Sequence, residues 1–384
     1  MGSLSSTASA NIKKRPGVLW ITPWYPCRLH STLGNFVKRH AEVASQHSEI
    51  FVFHYYKNSK RATEIEFFSE SHLSGVHMYY APGFFGKIQL FFLLIRLLLK
   101  RYPPTDLVHL NVFHESYWTV FLVKWLLKKP ILCIEHWTGY HNGNFYKLPL
   151  WKQRLMRWAA RYINEFQPVS RHLSQAMEST LKVNLPTYVV PNAVNVEVFK
   201  QLPGVQKKYD FIHLSTLDLI HKRPNVILRQ FSKVLQVYPK AIMAMGGDGD
   251  CTPLIKLAEE LGIRGSVTFF GELSAQEVSV YFNASRCLVL YSMYENFPCV
   301  IPEAWACGIP VISSDVGGIK EWLTAEQGIL VNSAEEHDLA KAMKYFLENA
   351  EKYVPEALRA YSSTYFSYAS VGREILSRYQ HLMR

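Results

Sequence analysis

Short apolar runs recur along the chain, each followed by a polar turn and then by a stretch whose apolar positions keep helical spacing. In the first half the runs at 17–22, 49–55, 106–110 and 131–135 have the length and bulk of buried strands. In the second half the same reading applies to 211–215, 241–246, 267–270, 286–291, 311–314 and 328–331. Phe36, Val37, Ala41 and Ala44 mark the helix after the first strand, and Ser170 is placed to cap another. Residues 57–75 read as a polar excursion between strands. Alternation of strand and helix in both halves predicts an α/β protein with two doubly wound parallel sheets facing across a cleft.

The stretch 291–315 carries the most chemistry. An apolar run ends at Tyr291, a polar turn follows, Pro298 suits the first turn of a helix, and Gly308 with Pro310 reads as its stop. Such a helix, opening at the carboxyl end of a parallel strand, points free N–H groups into the crevice where these sheets bind ligands. Glu295 in the turn and Glu303 about one turn into the helix can both accept hydrogen bonds from sugar hydroxyls. A ligand with hydroxyls at both ends and phosphates between them, a nucleotide sugar, fits that layout.

Glu295-x7-Glu303, followed by Ala304-x-Ala306-x-Gly308-x-Pro310-Val311 and the Asp315-Val-Gly-Gly tail, resembles the donor signature of retaining GT-B glycosyltransferases of the group 1, family 4 type. The resemblance implies two Rossmann-like domains, expected at 16–200 for the acceptor side and 201–360 for the donor side. It implies further that the terminal helix in 361–384, with the stripe Val371, Ile375, Leu376, Tyr379 and Leu382, returns to the first domain. Glu303 would hold the ribose. Glu295 and the Asn296-Phe297 backbone would hold the sugar and phosphates. Many relatives carry an arginine where Thr216 stands and a lysine six residues on, which Lys222 matches; Arg223 could supply the charge that Thr216 lacks. Gly34, in the loop after the first strand, would close over the donor phosphates, or simply serve its turn. His136, at a strand's carboxyl end, would lie near the reaction centre and orient a sugar hydroxyl. Phe270 or Leu273 would border the base, or belong to the core. No cofactor is implied, the nucleotide sugar being a substrate. The family also needs no metal, although Asp248-Gly-Asp250 spells a pair that could chelate a divalent ion.

Composition narrows the partners. The 384 residues are long for one core and suit two. Net charge is +11, and residues 1–200 hold all of the excess, with 24 Lys and Arg against 11 Asp and Glu. A face of that sign is drawn to anionic partners such as phospholipid head groups or lipid-linked pyrophosphates. Nucleic acid is not expected, since no binding motif accompanies the charge. The acceptor is expected to be a glycan or a lipid-linked sugar. Residues 87–101 are strongly apolar but short for a membrane span and interrupted by Arg96; they read either as a buried helix or as one lying partly in a membrane surface. The first fifteen residues, small and polar, are expected to form a disordered tail without a secretory signal. Six cysteines without metal spacing suggest buried thiols and a cytoplasmic protein, with a peripheral place at the inner face of a membrane left open. A nucleotide-sugar epimerase or hydrolase of the same fold, and a non-catalytic basic binding protein, are the alternative readings.

Overall fold

The structure is a computed structural model that describes residues 15–59, 62–99 and 104–384. The expected tail therefore lies almost wholly outside the described residues.

The first half runs β1 (Gly17–Thr22), α1 (Asn35–Ser45), β2 (Glu49–Lys57), β3 (Glu64–Glu70), β4 (Leu73–Tyr80) and α2 (Phe84–Leu99). It continues with β5 (Leu107–Asn111), α3 (Phe113–Ser116), α4 (Thr119–Leu126), β6 (Ile131–Glu135), α5 (Leu150–Ala160), β7 (Glu165–Pro168) and α6 (Arg171–Leu181). Among the described residues its sheet has seven strands in the order β3-β4-β2-β1-β5-β6-β7, parallel throughout except for β3, which pairs antiparallel with β4. The expected excursion at 57–75 therefore contains an edge strand. Glu64, Glu66 and Glu70 make β3 look polar in sequence, and charged side chains of this kind keep an edge from pairing with another chain.

The second half runs β8 (Tyr209–Leu214), α7 (Pro224–Leu235), β9 (Met243–Gly246), α8 (Thr252–Glu260), β10 (Val267–Phe270), α9 (Ala275–Asn283) and β11 (Ser285–Leu290). Then come α10 (Val300–Ala306), β12 (Val311–Ser314), β13 (Gly328–Val331), α11 (Glu336–Asn349), α12 (Pro355–Phe366) and α13 (Tyr368–Leu382). The six strands are all parallel, in the order β10-β9-β8-β11-β12-β13. Chain order reverses beside β1 in the first sheet and beside β8 in the second. Each reversal opens a crevice at the carboxyl ends of the strands.

The second half packs around one apolar core containing Trp305, Phe211 and Phe231. The first has a core on each face of its sheet. One is built on Phe53, Phe113 and Phe166, the other on Val18, Trp20 and Val37. Val371, Ile375 and Tyr379 of α13 belong to the latter, so the terminal helix packs on α1 of the first half. There Tyr379 hydrogen-bonds Nδ1 of His109 at 2.6 Å, and Tyr368 donates to Glu42 at 2.8 Å. Ser170 caps α6, its hydroxyl accepting from the Leu173 N–H at 3.2 Å. Three cysteines (133, 287, 307) are buried, whereas Cys27, Cys251 and Cys299 are partly exposed, so the expectation of buried thiols holds for half of them.

Candidate active site

The two crevices face each other across a cleft of about 420 Å³ lined from both halves. Thr32, Phe36, Arg39 and His136 come from the first; Thr216, Lys222, Glu295, Asn296, Phe297 and Glu303 come from the second.

On the second side, the turn after β11 is held rigidly. Gly317 has φ +58°, and a Cβ there would lie 1.6 Å from the Glu295 carbonyl oxygen; a Cβ on Gly318 would lie 2.3 Å from that of Asn296. The glycine pair thus lets one loop press on the backbone of the other, rather than on a ligand. Pro298 lies two residues before α10, which begins at Val300 and spans only seven residues, shorter than the sequence suggests. The Glu295 carboxylate is buried, pairs with Lys222 and accepts from the Ser292 hydroxyl at 2.7 Å. Burial alone would raise its pKa, but Lys222, His221 and the hydrogen bonds outweigh burial and hold it below the ordinary range. Glu303 is also buried and pairs with Arg39, which crosses from α1. Here burial prevails over Arg39, and the carboxyl is pushed up.

On the first side, the loop after β6 is organised by Glu135. Its buried carboxylate accepts from the backbone N–H groups of Phe113 (2.9 Å), His136 (2.8 Å) and Trp137 (2.8 Å) and from the Tyr140 hydroxyl (3.2 Å). That arrangement fixes His136 in the cleft wall, with its ring 4.1 Å from that of Phe36. Burial, helped by His40 and His109, pushes the His136 pKa well down, so the imidazole is neutral. Its Nε2 is buried and has no hydrogen-bond partner among the described residues.

The halves are stitched around the cleft. Asn296 donates to the His136 carbonyl at 2.6 Å and its Oδ1 lies 2.9 Å from Nε2 of His141. Asn192 donates to the Phe297 carbonyl at 2.7 Å, while the Phe297 ring packs inward, stacked on Phe366. Thr32 donates to Asp248 at 3.0 Å, and Asp250 instead accepts from the Thr252 N–H at 2.8 Å, so the two aspartates are engaged separately.

Arg223 and Gly34, both named from the sequence, do not face the cleft. Arg223 turns away to pair with Glu336, lies over the Tyr291 ring and donates to the Ser333 carbonyl at 3.3 Å. Its backbone is left-handed (φ +52°) just before α7, which swings the side chain off the line of Lys222. Gly34 is outside the lining, although Thr32, Asn35 and Phe36 around it belong to it. Its φ of +74°, with a Cβ position 2.5 Å from the Trp24 carbonyl carbon, explains the glycine by the turn that aims those neighbours. Leu273 lines the cleft, whereas Phe270 packs in the core 4.5 Å from Tyr281. Arg39 and Glu135 were not singled out from the sequence. Arg39 lies 264 positions from its partner and leaves no local signal. Glu135 leaves only a faint one, a carboxylate closing an apolar strand.

Two doubly wound domains enclosing a cleft lined from both define a GT-B fold. The model for group 1 glycosyl transferases matches residues 196–361, and that for glycosyltransferase family 4 matches residues 41–198. The chain belongs to the group 1 glycosyltransferases. A D-inositol 3-phosphate glycosyltransferase of Mycobacterium leprae is 37% identical over 100 residues, 26% of this chain and 23% of that protein. The same enzyme of Rhodococcus erythropolis is 36% identical over 132 residues, 32% of this chain and 30% of that protein. These matches span less than a third of either relative's length. In fold, the chain is similar to sucrose-phosphate synthase from Thermosynechococcus elongatus, with a TM-score of 0.78 and 18% identity over 96% of this chain and 99% of that one. It is also similar to Anabaena HepE in complex with UDP, with a TM-score of 0.74 and 16% identity over 96% and 100%.

Proposed function

We propose that the protein is a retaining glycosyltransferase that moves a hexosyl group from a nucleotide sugar to a hydroxyl of a glycan or lipid-linked acceptor, in surface polysaccharide or glycolipid synthesis. The observation that carries this reading is the pairing in one cleft of Lys222 with Glu295 from the donor half, opposite the unpartnered His136 nitrogen from the other. Lys222, Thr216 and the backbone around Asn296 and Phe297 neutralise the diphosphate. Glu303 leaves Arg39 to accept from the ribose, and Glu295 accepts from the sugar. The bond between the anomeric carbon and the diphosphate oxygen breaks, the acceptor oxygen bonds to that carbon on the same face, and the acceptor proton passes to the departing phosphate. Stabilising that phosphate is electrostatic catalysis and in this scheme needs no metal ion. His136, being neutral, orients a hydroxyl rather than carrying charge. The basic half suits a peripheral place against an anionic membrane on the cytoplasmic side.

Titration of UDP, GDP and ADP, then of their sugar conjugates, against the protein and a Glu303→Gln variant tests this by thermal stability. One nucleotide at about a hundred times its dissociation constant should stabilise the fold by roughly 2.7 kcal/mol, and the variant should lose most of it. Absence of a shift with every nucleotide would remove the donor site. Donor turnover without any acceptor would replace the transferase by an epimerase or hydrolase.

A further inference from the structure

The first sheet has α1 and α13 on one face and α2, α4 and α5 on the other, as right-handed crossovers in its strand order require. The outer side of those three helices is unusual in two independent ways.

It is apolar where it meets solvent. α2 buries Gly86, Leu90, Leu94 and Leu98, yet its opposite side carries Phe92 at 63% exposure, with Phe84 and Phe85 also exposed. α4 exposes Trp125 (66%) and α5 exposes Leu150 and Trp151 (64%). The surface is continuous, because Phe91 of α2 meets Trp118 before α4, and Phe121 of α4 lies 4.3 Å from Trp158 of α5. A helix apolar all round normally lies in a protein core or in lipid. No described helix is long and apolar enough to cross a membrane.

The three helices themselves also carry only positive charge. Residues 84–99, 119–126 and 150–160 contain no Asp or Glu, while Lys87, Arg96, Lys124 and Arg154 are exposed among the aromatic side chains. Lys147 and Arg161 flank α5 and are exposed too. Around the neck of the patch, burial is the main influence on Lys152 and lowers its pKa; the nearby Glu115 carboxylate opposes that shift and Lys87 adds to it.

We propose that this three-helix face docks on an anionic phospholipid bilayer, with the aromatic rings at the depth of the head groups and the lysines and arginines against lipid phosphates. The chemistry selects this occupant. Two copies meeting through the face would bring together cations with no carboxylate on these three helices to pair with them, which is unfavourable. A nucleic acid would use the charge but leave Phe84, Phe85, Phe92 and Leu150 in water. An interfacial bilayer takes both, since aromatic rings and long basic side chains suit the boundary between acyl chains and head groups.

The direction of the helices adds a consequence. α2 and α5 both start at the carboxyl ends of the preceding strands, the edge on which the cleft opens. Phe84, Phe85, Leu150 and Trp151 therefore sit at the cleft end of the patch, and Trp125 and Leu99 at the far end. Docking by this face lays the cleft mouth beside the lipid head groups, in reach of an acceptor carried on a lipid. The docking face stands whether or not the cleft transfers a sugar; only this delivery rests on the function proposed above.

The test is co-sedimentation of the full chain with vesicles of phosphatidylglycerol mixed into phosphatidylcholine, against phosphatidylcholine alone, with no nucleotide sugar present. Binding should need the anionic lipid, weaken with salt and shift tryptophan emission to the blue. Phe92→Ser with Trp125→Ser should lower the partition coefficient about tenfold or more, and each of Lys87→Gln, Lys124→Gln and Arg154→Gln about fivefold. Val237→Ser with Val354→Ser, exposed apolar residues of the second half, should leave it unchanged. Variants are compared only at matched melting temperature. Failure to bind either vesicle, or equal loss in the second-half variant, would overturn the proposal. A dimer abolished by the Phe92 and Trp125 changes would assign the face to a second copy instead. Vesicle binding without donor turnover would leave docking intact and count against the function alone.

Discussion

At the carboxyl ends of the second sheet the charged groups already have partners, Lys222 on Glu295 and Arg39 on Glu303, and in the proposed function a diphosphate and a ribose displace them. In the first half the buried polar groups include four neutral, partly unpartnered histidines, His40, His54, His109 and His136, beside a Glu135 carboxylate held by hydrogen bonds rather than by an ion pair. One side keeps its charge in ion pairs at the cleft. The other carries most of its charge on the surface, where α2, α4 and α5 are basic and apolar together. Under the proposed function these suit the binding of a common donor and the admission of a particular acceptor.

The strongest way to break this contrast is Lys222→Ala. It removes the cation for the leaving group and strands a buried carboxylate, so kcat/KM should fall by about 100- to 1000-fold and the melting free energy by about 3–5 kcal/mol. Normal binding of nucleoside diphosphate by that variant would refute the donor-side assignment.

Acid should expose the first half. Burial lowers the His54 pKa to about 3 and that of His40 to about 4, each below the ordinary 6.5. These rings are neutral in the fold and protonate more readily once unfolded. Stability is therefore complete above about pH 6.5 and is lost as pH falls towards about 4, by a few kcal/mol per histidine. Seven of nine tryptophans lie in the first 200 residues, so their fluorescence in a urea series at falling pH reports chiefly on that half. A midpoint flat between pH 7 and pH 4 would contradict the buried neutral rings.

His136→Ala separates chemistry from binding. Turnover should drop by about 100-fold with the dissociation constant for nucleoside diphosphate unchanged, as steady-state kinetics beside calorimetry would report. Equal loss in both would move His136 into the donor site. The smallest effect is expected of Thr216→Ala, which removes one hydroxyl donor at the cleft wall. Nucleoside diphosphate affinity should weaken by less than tenfold, about 1 kcal/mol. A larger loss would mean that Thr216 substitutes fully for the missing arginine.

Legibility followed the same division. The donor signature, the strand before it and Lys222 lie within local stretches of chain whose apolar runs, turns and glycines specify backbone directly, so their places in the cleft agree with the pattern. Edge strand β3 was missed because alternating glutamates mimic a loop, and β7 because its four residues, Glu165–Pro168, carry polar side chains into a buried strand. Arg223 was misplaced because sequence spacing cannot register the left-handed residue that turns it towards Glu336.

By itself, then, the sequence determined the two-sheet α/β architecture and the local stretches that supply Lys222, Glu295 and Glu303 to the cleft, because periodicity and turn residues act over a few positions. Only the tertiary structure decided that Arg39 reaches Glu303, that Glu135 orders the His136 loop, and that three separate helices without acidic residues form one exposed aromatic face. Each of these joins residues distant in the chain, and such meetings are set by sheet order and domain closure rather than by local pattern.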